Sequence, residues 1–193
     1  MVRCVDVAAI GPCGSRVGFA TLNEWFHRLT GVHMIMYTIT DWLGLVPAAL
    51  GLGFAILGLC QWIKRRNLLK VDADILVLGG FYIITLLSYL LFEVVVVNYR
   101  PVLIAGNLEA SYPSSTTLLV LCIMPTVWLQ LRARMRVGVF RSIVLSAFVI
   151  FTFFMVIGRL IAGVHWITDI VGGVLLSGGL VNAYSAVCSC VNE

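Results

Sequence analysis

The chain has 193 residues, of which 61% are hydrophobic and 11% are charged, and its formal net charge is +4. A soluble domain of this size needs far more polar surface to cover its core, so the composition excludes an ordinary soluble globular protein. The small net charge gives no indication of a nucleic-acid partner. We therefore expect a single membrane domain over residues 1–193.

The N-terminal segment, residues 1–38, is predicted to hold one amphipathic helix at 15–30. Its apolar residues recur at helical spacing, as in a helix that lies in the plane of the lipid headgroups. A helix packed on the bundle through its apolar face is the alternative. Thr21 and Glu24 have the spacing of a capping box near the start of this helix. The apolar face consists of Leu22, Trp25, Phe26 and Leu29.

Five long apolar runs follow, and each has roughly the 17–25 residues that a helix needs to cross the hydrocarbon of a bilayer. The predicted fold class is therefore all-α, a polytopic transmembrane bundle over residues 39–190. Pro47 and Pro125 fall inside spans, where neighbouring helices absorb the kinks that proline causes. Asp41 interrupts the start of the first run. The predicted spans are 39–63, 75–97, 115–131, 142–158 and 166–189.

Basic residues are concentrated in the two loops that follow the first and third spans. Cytoplasmic loops of membrane proteins are enriched in Lys and Arg, so both loops are expected in the cytoplasm. The loops at 98–114 and 159–165 then lie at the outer face, and the compact build is typical of a bacterial plasma membrane protein. The basic clusters are Lys64, Arg65, Arg66 and Lys70, and Arg132, Arg134, Arg136 and Arg141.

The outer face collects the remaining polar residues of the chain. Pro113 and the hydroxyl residues after it make a good helix start, whose free N–H groups can hold an anion. His165 and Asp169 are four residues apart and share one face of a helix, so the carboxylate can orient the imidazole. Arg100 and Arg159 match the oxygens of a phosphate group. The pattern therefore favours a phosphate site.

The spacing of these residues resembles the three motifs of the type 2 phosphatidic acid phosphatase/haloperoxidase superfamily, over roughly residues 40–190. The third motif is matched by Arg159, His165 and Asp169, separated by five and three residues. The first motif, Lys-x6-Arg-Pro, and the second, Pro-Ser-Gly-His, correspond here to Glu93-x6-Arg100-Pro101 and to Pro113-Ser114-Ser115-Thr116.

This resemblance implies a membrane lipid phosphatase that acts on a lipid phosphomonoester or diphosphate without a metal or other cofactor. His165 would attack phosphorus and form a phosphohistidine, and Asp169 would orient its ring. Membrane lipids are the other expected partners. The phosphoryl oxygens would be held by Arg100, Arg159 and the backbone near Ser114 and Ser115.

Three positions depart from the motifs, because Glu93 replaces Lys, Thr116 replaces His and Gly158 replaces Ser. Losing the general acid that the second-motif His provides costs on the order of 10²–10⁴ in rate. A diphosphate substrate needs less protonation of its leaving group. Glu93 is open to three interpretations: the missing acid, a group that binds an amine of the substrate, or an ion-pair partner of Arg100 or Arg159.

Two functions other than hydrolysis stay open from the sequence. A catalytically impaired relative would bind or translocate an anionic phospholipid, as the changes at Glu93 and Thr116 suggest. A structural membrane protein without a ligand is the further alternative. Cys4 and Cys13 can pair in an oxidising compartment, although nothing in the pattern requires it.

Overall fold

The computed structural model describes residues 2–192. Within that range it confirms the all-α class, with five spans long and apolar enough to cross a membrane. The chain is thus an integral membrane protein. Short 3₁₀ turns occupy Pro12–Gly14 and Leu68–Lys70. The helices are Ala20–Thr30 (α1), Met34–Leu43 (α2), Leu45–Arg65 (α3), Ala73–Val94 (α4), Ser115–Arg134 (α5), Val139–Ala162 (α6) and Ile167–Asn192 (α7).

The first span is longer than predicted and is divided in two. Helices α2 and α3 together cover Met34–Arg65, with a break at Gly44. Pro47 explains the break, because it has no N–H to bond the carbonyl of Leu43 and its ring would collide with that carbonyl in a continuous helix. Proline is tolerated in the first turn of α3, because a backbone N–H at that position would have no hydrogen-bond partner within the helix. Helix α2 crosses the predicted boundary between residues 38 and 39.

Helix α5 is the centre of the bundle and packs against α3, α4, α6 and α7. Half of its most apolar window (50%) is buried inside the protein, against 11–22% for the other spans. Its buried polar side chains are satisfied within the bundle. Tyr82 bonds Thr126 at 3.1 Å, and Gln130 donates to the Tyr184 hydroxyl at 3.0 Å. The other spans turn their apolar side chains to the lipid.

Helix α1 begins later than predicted and is not closed by a capping box. Its N-cap is Phe19, and the N–H of Thr21 is bonded instead by the carboxylate of Asp6 at 2.8 Å. The polar side chain of Asn23 faces the bundle and bonds Thr168 of α7 at 3.0 Å. The apolar residues Leu22, Trp25 and Leu29 are exposed, which agrees with a helix lying in the headgroup plane. Cys4 and Cys13 are free and exposed.

The bundle has two chemically distinct ends. At the basic end, defined by residues 64–70 and 132–141, the Arg134 guanidinium binds the Asp74 carboxylate at 2.8 Å. The opposite end, defined by residues 95–114 and 163–166, is called the site end below. Helix α6 continues to Ala162, so Arg159 lies on its last turn and not in a loop, as the sequence had suggested.

Candidate active site

The loop at 95–114 is folded back on itself and carries part of the site. The N–H of Arg100 donates to the Glu109 carbonyl at 3.1 Å, and the N–H of Ser111 donates to the Asn98 carbonyl at 2.9 Å. These bonds bring Arg100 and Ser111, eleven positions apart, to the same side of the loop. The short loop between α6 and α7 faces it. The indole N–H of Trp166 donates to the Tyr99 carbonyl at 2.8 Å and joins the two loops.

Gly163 allows the second loop to turn sharply at the end of α6. Its φ of +67° belongs to the left-handed region, where side chains with a Cβ are strained. A Cβ at this position would also lie 1.8 Å from the carbonyl oxygen of Gly31. The turn is pinned by the N–H of His33, which donates to the Ala162 carbonyl at 3.0 Å. This geometry directs the next residues, including His165, into the protein.

His165 is the group best placed to act as a nucleophile. Its side chain is buried, and within residues 2–192 its Nε2 atom has no hydrogen-bond partner. Burial, and then the positive charges of Arg100 and Arg159, hold the pKa of His165 well below its usual value of 6.5. The imidazole is therefore neutral at physiological pH and one ring nitrogen carries a lone pair.

Ser111 determines which of the two ring nitrogens of His165 carries the lone pair. Its hydroxyl donates to Asp169 Oδ2 at 2.5 Å, so its oxygen is free to accept a proton from His165 Nδ1, 3.0 Å away. A proton on Nδ1 leaves the lone pair on Nε2. Among the described residues Asp169 does not bond His165 directly. His165 precedes α7, and the Ser111 hydroxyl links the two side chains.

Asp169 is fully buried and is held by three donors from the two loops of the site end. Besides Ser111, it accepts the backbone N–H of Trp166 at 3.0 Å and the Asn98 amide at 3.3 Å. A buried carboxylate needs such partners to remain charged. Its negative charge can thus reach His165 through the intervening hydroxyl.

Arg159 is buried and lies under α2. Its Nη1 contacts the Tyr37 carbonyl at 3.4 Å and the Thr40 hydroxyl at 3.3 Å, and its Nη2 lies 3.4 Å from Asp41 Oδ1. The guanidinium also stacks over the Tyr37 ring, 4.8 Å from its centre. These polar bonds are long, and the Nε atom has no partner within residues 2–192. Arg159 therefore retains capacity to bind an anion.

Gly158 makes this contact with α2 possible. A Cβ at Gly158 would lie 2.8 Å from the Thr40 Cγ2 methyl group and 3.4 Å from the Met36 sulfur. A serine at this position, as in the family's motif, would press against the same helix. The departure at Gly158 is thus explained by the close packing of α2 on α6.

Arg100 approaches the same ring from the other side of the site. Its guanidinium lies 5.9 Å from the centre of the Tyr37 ring, and its Nε is 3.2 Å from Glu109 Oε2. Its Nη1 atom is buried without a hydrogen-bond partner in the described range. The two arginines predicted to bind phosphate therefore converge, and each has a carboxylate, Glu109 or Asp41, as its ion-pair partner. Neither is paired with Glu93 among the described residues, and this arrangement favours the other two interpretations of Glu93.

The start of α5 supplies fewer donors than predicted. The N–H of Ser114 is already bonded to the Asp169 carbonyl at 3.0 Å, and its buried hydroxyl accepts from Thr117 at 3.1 Å. The first N–H groups inside the helix, from Ser115 onward, have no intrahelical acceptor and carry the positive end of the helix dipole. The Ser114 N–H is therefore engaged, whereas Ser115 begins the helix and lines the cleft beside His165.

A narrow cleft opens beside His165. Glu93, in the last turn of α4, lines it together with His165, whereas Thr116 is half-buried and is not among the lining residues. Within residues 2–192 no three His, Cys, Asp or Glu side chains are grouped to hold a metal ion. The full lining is Tyr89, Phe92, Glu93, Ala110, Ser111, Tyr112, Pro113, Ser115, Leu118 and His165.

Comparison with known proteins identifies a family and a similar solved structure. The sequence model of the PAP2 superfamily matches residues 48–189, and these include the three motifs. The solved structure of a transmembrane PAP2-type phosphatidylglycerolphosphate phosphatase from Bacillus subtilis is similar, with 18% identity and a TM-score of 0.49. The aligned region covers 89% of this chain and 96% of that one. The comparison with curated proteins gives no match.

Proposed function

Because this chain belongs to the PAP2 superfamily, we propose that it hydrolyses a lipid phosphomonoester or diphosphate through a phosphohistidine intermediate. One observation carries the proposal. A neutral, buried histidine presents an unbonded Nε2 next to two arginines that are only partly neutralised. This arrangement pairs an activated nucleophile with a site for the charge of the transition state.

In the first step, the Nε2 lone pair attacks phosphorus and the bond from phosphorus to the leaving oxygen breaks. The imidazole becomes positively charged, and its Nδ1–H bond to Ser111 strengthens because Ser111 is held by Asp169. In the second step, water attacks phosphorus and the P–N bond returns its electron pair to Nε2. Over the two steps, one proton passes from the attacking water to the oxygen that has left. The leaving group of a diphosphate is a stable anion, so it does not need this proton when its bond to phosphorus breaks.

The arginines and the start of α5 hold the phosphoryl oxygens. Arg100 and Arg159 each release a carboxylate partner to do so, and both partners are accessible: the side chains of Glu109 and Asp41 are 40% and 57% exposed. Ser115, which lines the cleft, contributes a backbone N–H donor. The arginines are thus buried, whereas the carboxylates that phosphate displaces are exposed side chains.

The site end faces away from the cytoplasm in this proposal. Both basic loops lie at the other end of the bundle, and their arginines and lysines favour the cytoplasmic side. The substrate would then reach the cleft from the outer leaflet of a plasma membrane, with its acyl chains remaining in the lipid.

Purified protein in detergent should release phosphate from at least one member of a panel of lipid phosphates. The panel contains phosphatidic acid, a polyprenyl diphosphate and, as a control without a terminal phosphate, phosphatidylcholine. Release from the first or second lipid and none from the third is the expected result.

Release from none of them, with retained binding of a lipid phosphate, would replace hydrolysis by the second candidate function, binding or translocation of an anionic phospholipid. Thr116, which provides no general acid, is the residue that favours this alternative.

Replacing Ser111 by alanine should lower kcat on the best substrate on the order of 10²-fold and change KM little. The hydroxyl orients the imidazole and connects it to Asp169, but it touches no phosphoryl oxygen in this proposal. Ser111→Thr keeps the hydroxyl and should recover part of the rate. Ser142→Ala, at the basic end, is the matched control. A Ser111→Ala enzyme with an unchanged kcat would show that the hydroxyl link is not used.

A further inference from the structure

Glu93 is the one motif position whose charge is reversed, and the structure places it inside the cleft. Its exposed carboxylate ends the last turn of α4 and lines the same space as His165 and Ser115. Tyr89, one helical turn earlier, is within hydrogen-bonding reach of it. The carboxylate is thus oriented toward whatever enters the cleft.

No cation within residues 2–192 forms an ion pair with this carboxylate. Arg100 and Arg159 are bound by Glu109 and Asp41, and the other ion pairs lie elsewhere. A carboxylate also repels the phosphate that His165 would attack. Glu93 is therefore available to a positive group that arrives with the ligand.

The walls of the cleft near Glu93 are aromatic. Tyr89, Phe92 and Tyr112 all line it, and the rings of Phe92 and Tyr112 meet edge to face with centres 5.9 Å apart. A carboxylate among aromatic rings is a typical site for an ammonium group, because the ring faces and the carboxylate attract the same charge.

We propose that the cleft selects a lipid phosphate whose leaving alcohol carries a protonated amine close to the phosphate, and that Glu93 binds this amine. The inference rests on the proposed phosphatase function and specifies its substrate class.

It also accounts for Thr116. An ammonium group two carbons from the leaving oxygen can transfer its proton to that oxygen as the P–O bond breaks, and the amine becomes neutral. The substrate then supplies the acid that the second motif lacks.

The test compares a long-chain 2-amino-alcohol phosphate with its N-acetyl derivative, which keeps the phosphate and the chain but has no positive charge. Wild-type protein should show a kcat/KM at least about 10-fold higher for the free amine, as expected for a hydrogen bond between charged groups. Glu93→Gln should lower this ratio by about 10-fold, the part that the carboxylate contributes by binding the amine, and Glu93→Asp should keep part of that contribution. Glu24→Gln, on α1, is the matched control and should leave the ratio unchanged.

Two results would overturn the inference: equal kcat/KM for both substrates in the wild type, or an equal loss on both substrates in Glu93→Gln. The second result would identify Glu93 as a general acid. Affinities for the two phosphonate analogues, which cannot be hydrolysed, separate the inference from the proposed function. If neither phosphate is released but the amine analogue binds at least about 10-fold more tightly, hydrolysis fails and the ammonium site stands. If neither is released and both analogues bind equally, both proposals fail.

Discussion

Replacing His165 by alanine is expected to lower phosphate release by about 10³-fold or more, because the change removes the nitrogen that attacks phosphorus in the proposed mechanism. The loss should appear in kcat on every active lipid phosphate. The covalent phosphoenzyme that can be trapped by rapid acid quenching of the wild type should be absent from the variant. Binding of a lipid phosphate should persist, since Arg100 and Arg159 remain.

His33→Ala is the matched control for this experiment. His33 also lies at the site end, but its Nε2 bonds the Thr30 carbonyl at 2.9 Å and it is exposed. Its replacement should leave the rate near that of the wild type. Unchanged activity in His165→Ala, with a protein that elutes normally on size exclusion, would refute the phosphohistidine mechanism.

Restoring the family's residues at both altered positions should increase the rate on lipid phosphomonoesters that carry no amine. The double change Glu93→Lys and Thr116→His supplies a general acid and a positive charge, and general acids contribute about 10²–10⁴-fold. The two single changes should each give less than the pair, because the acid and the charge act on the same transition state. The measurement is kcat/KM on phosphatidic acid for all four proteins.

The same double change should remove any preference for an amine-bearing substrate, since the carboxylate that would bind the amine is gone. A protein that gains nothing on phosphatidic acid would show that Glu93 and Thr116 do not limit this chemistry. A gain in the double variant would show that the rest of the site is competent and that only these two positions limit the rate. No gain would show that other positions have lost the function as well.

The spans could be predicted because the thickness of a bilayer determines how long an apolar run must be. Even the central position of α5 has a signal in the sequence: the mean hydropathy of its best window is 1.4, the lowest of the five spans. A helix shielded by its neighbours does not need to be as apolar as one that faces lipid. The break between α2 and α3 was missed because Pro47 is compatible both with a kink inside a span and with the first turn of a new helix.

The sequence allowed us to predict the reactive groups of the candidate site, but not the contacts that hold these groups in place. Spacing along the chain identified His165, Asp169 and the arginines, because each motif is local. Ser111 was missed as the link because a four-residue spacing brings two side chains together only within a helix, and α7 begins after His165. Asp41 and Glu109 were missed because an ion pair between distant segments leaves no regular spacing in a sequence.

Helix α2 changes what counts as the minimal functional unit of this protein. The match to the superfamily begins at residue 48, yet Tyr37, Thr40 and Asp41, which hold Arg159, all precede it. A shortened chain cut at the edge of the family match would keep every motif and still lack the platform under one of its two arginines. The segment just upstream therefore belongs to the architecture of the candidate site, and a shortened chain that lacks it should bind a lipid phosphate less tightly than the full chain does.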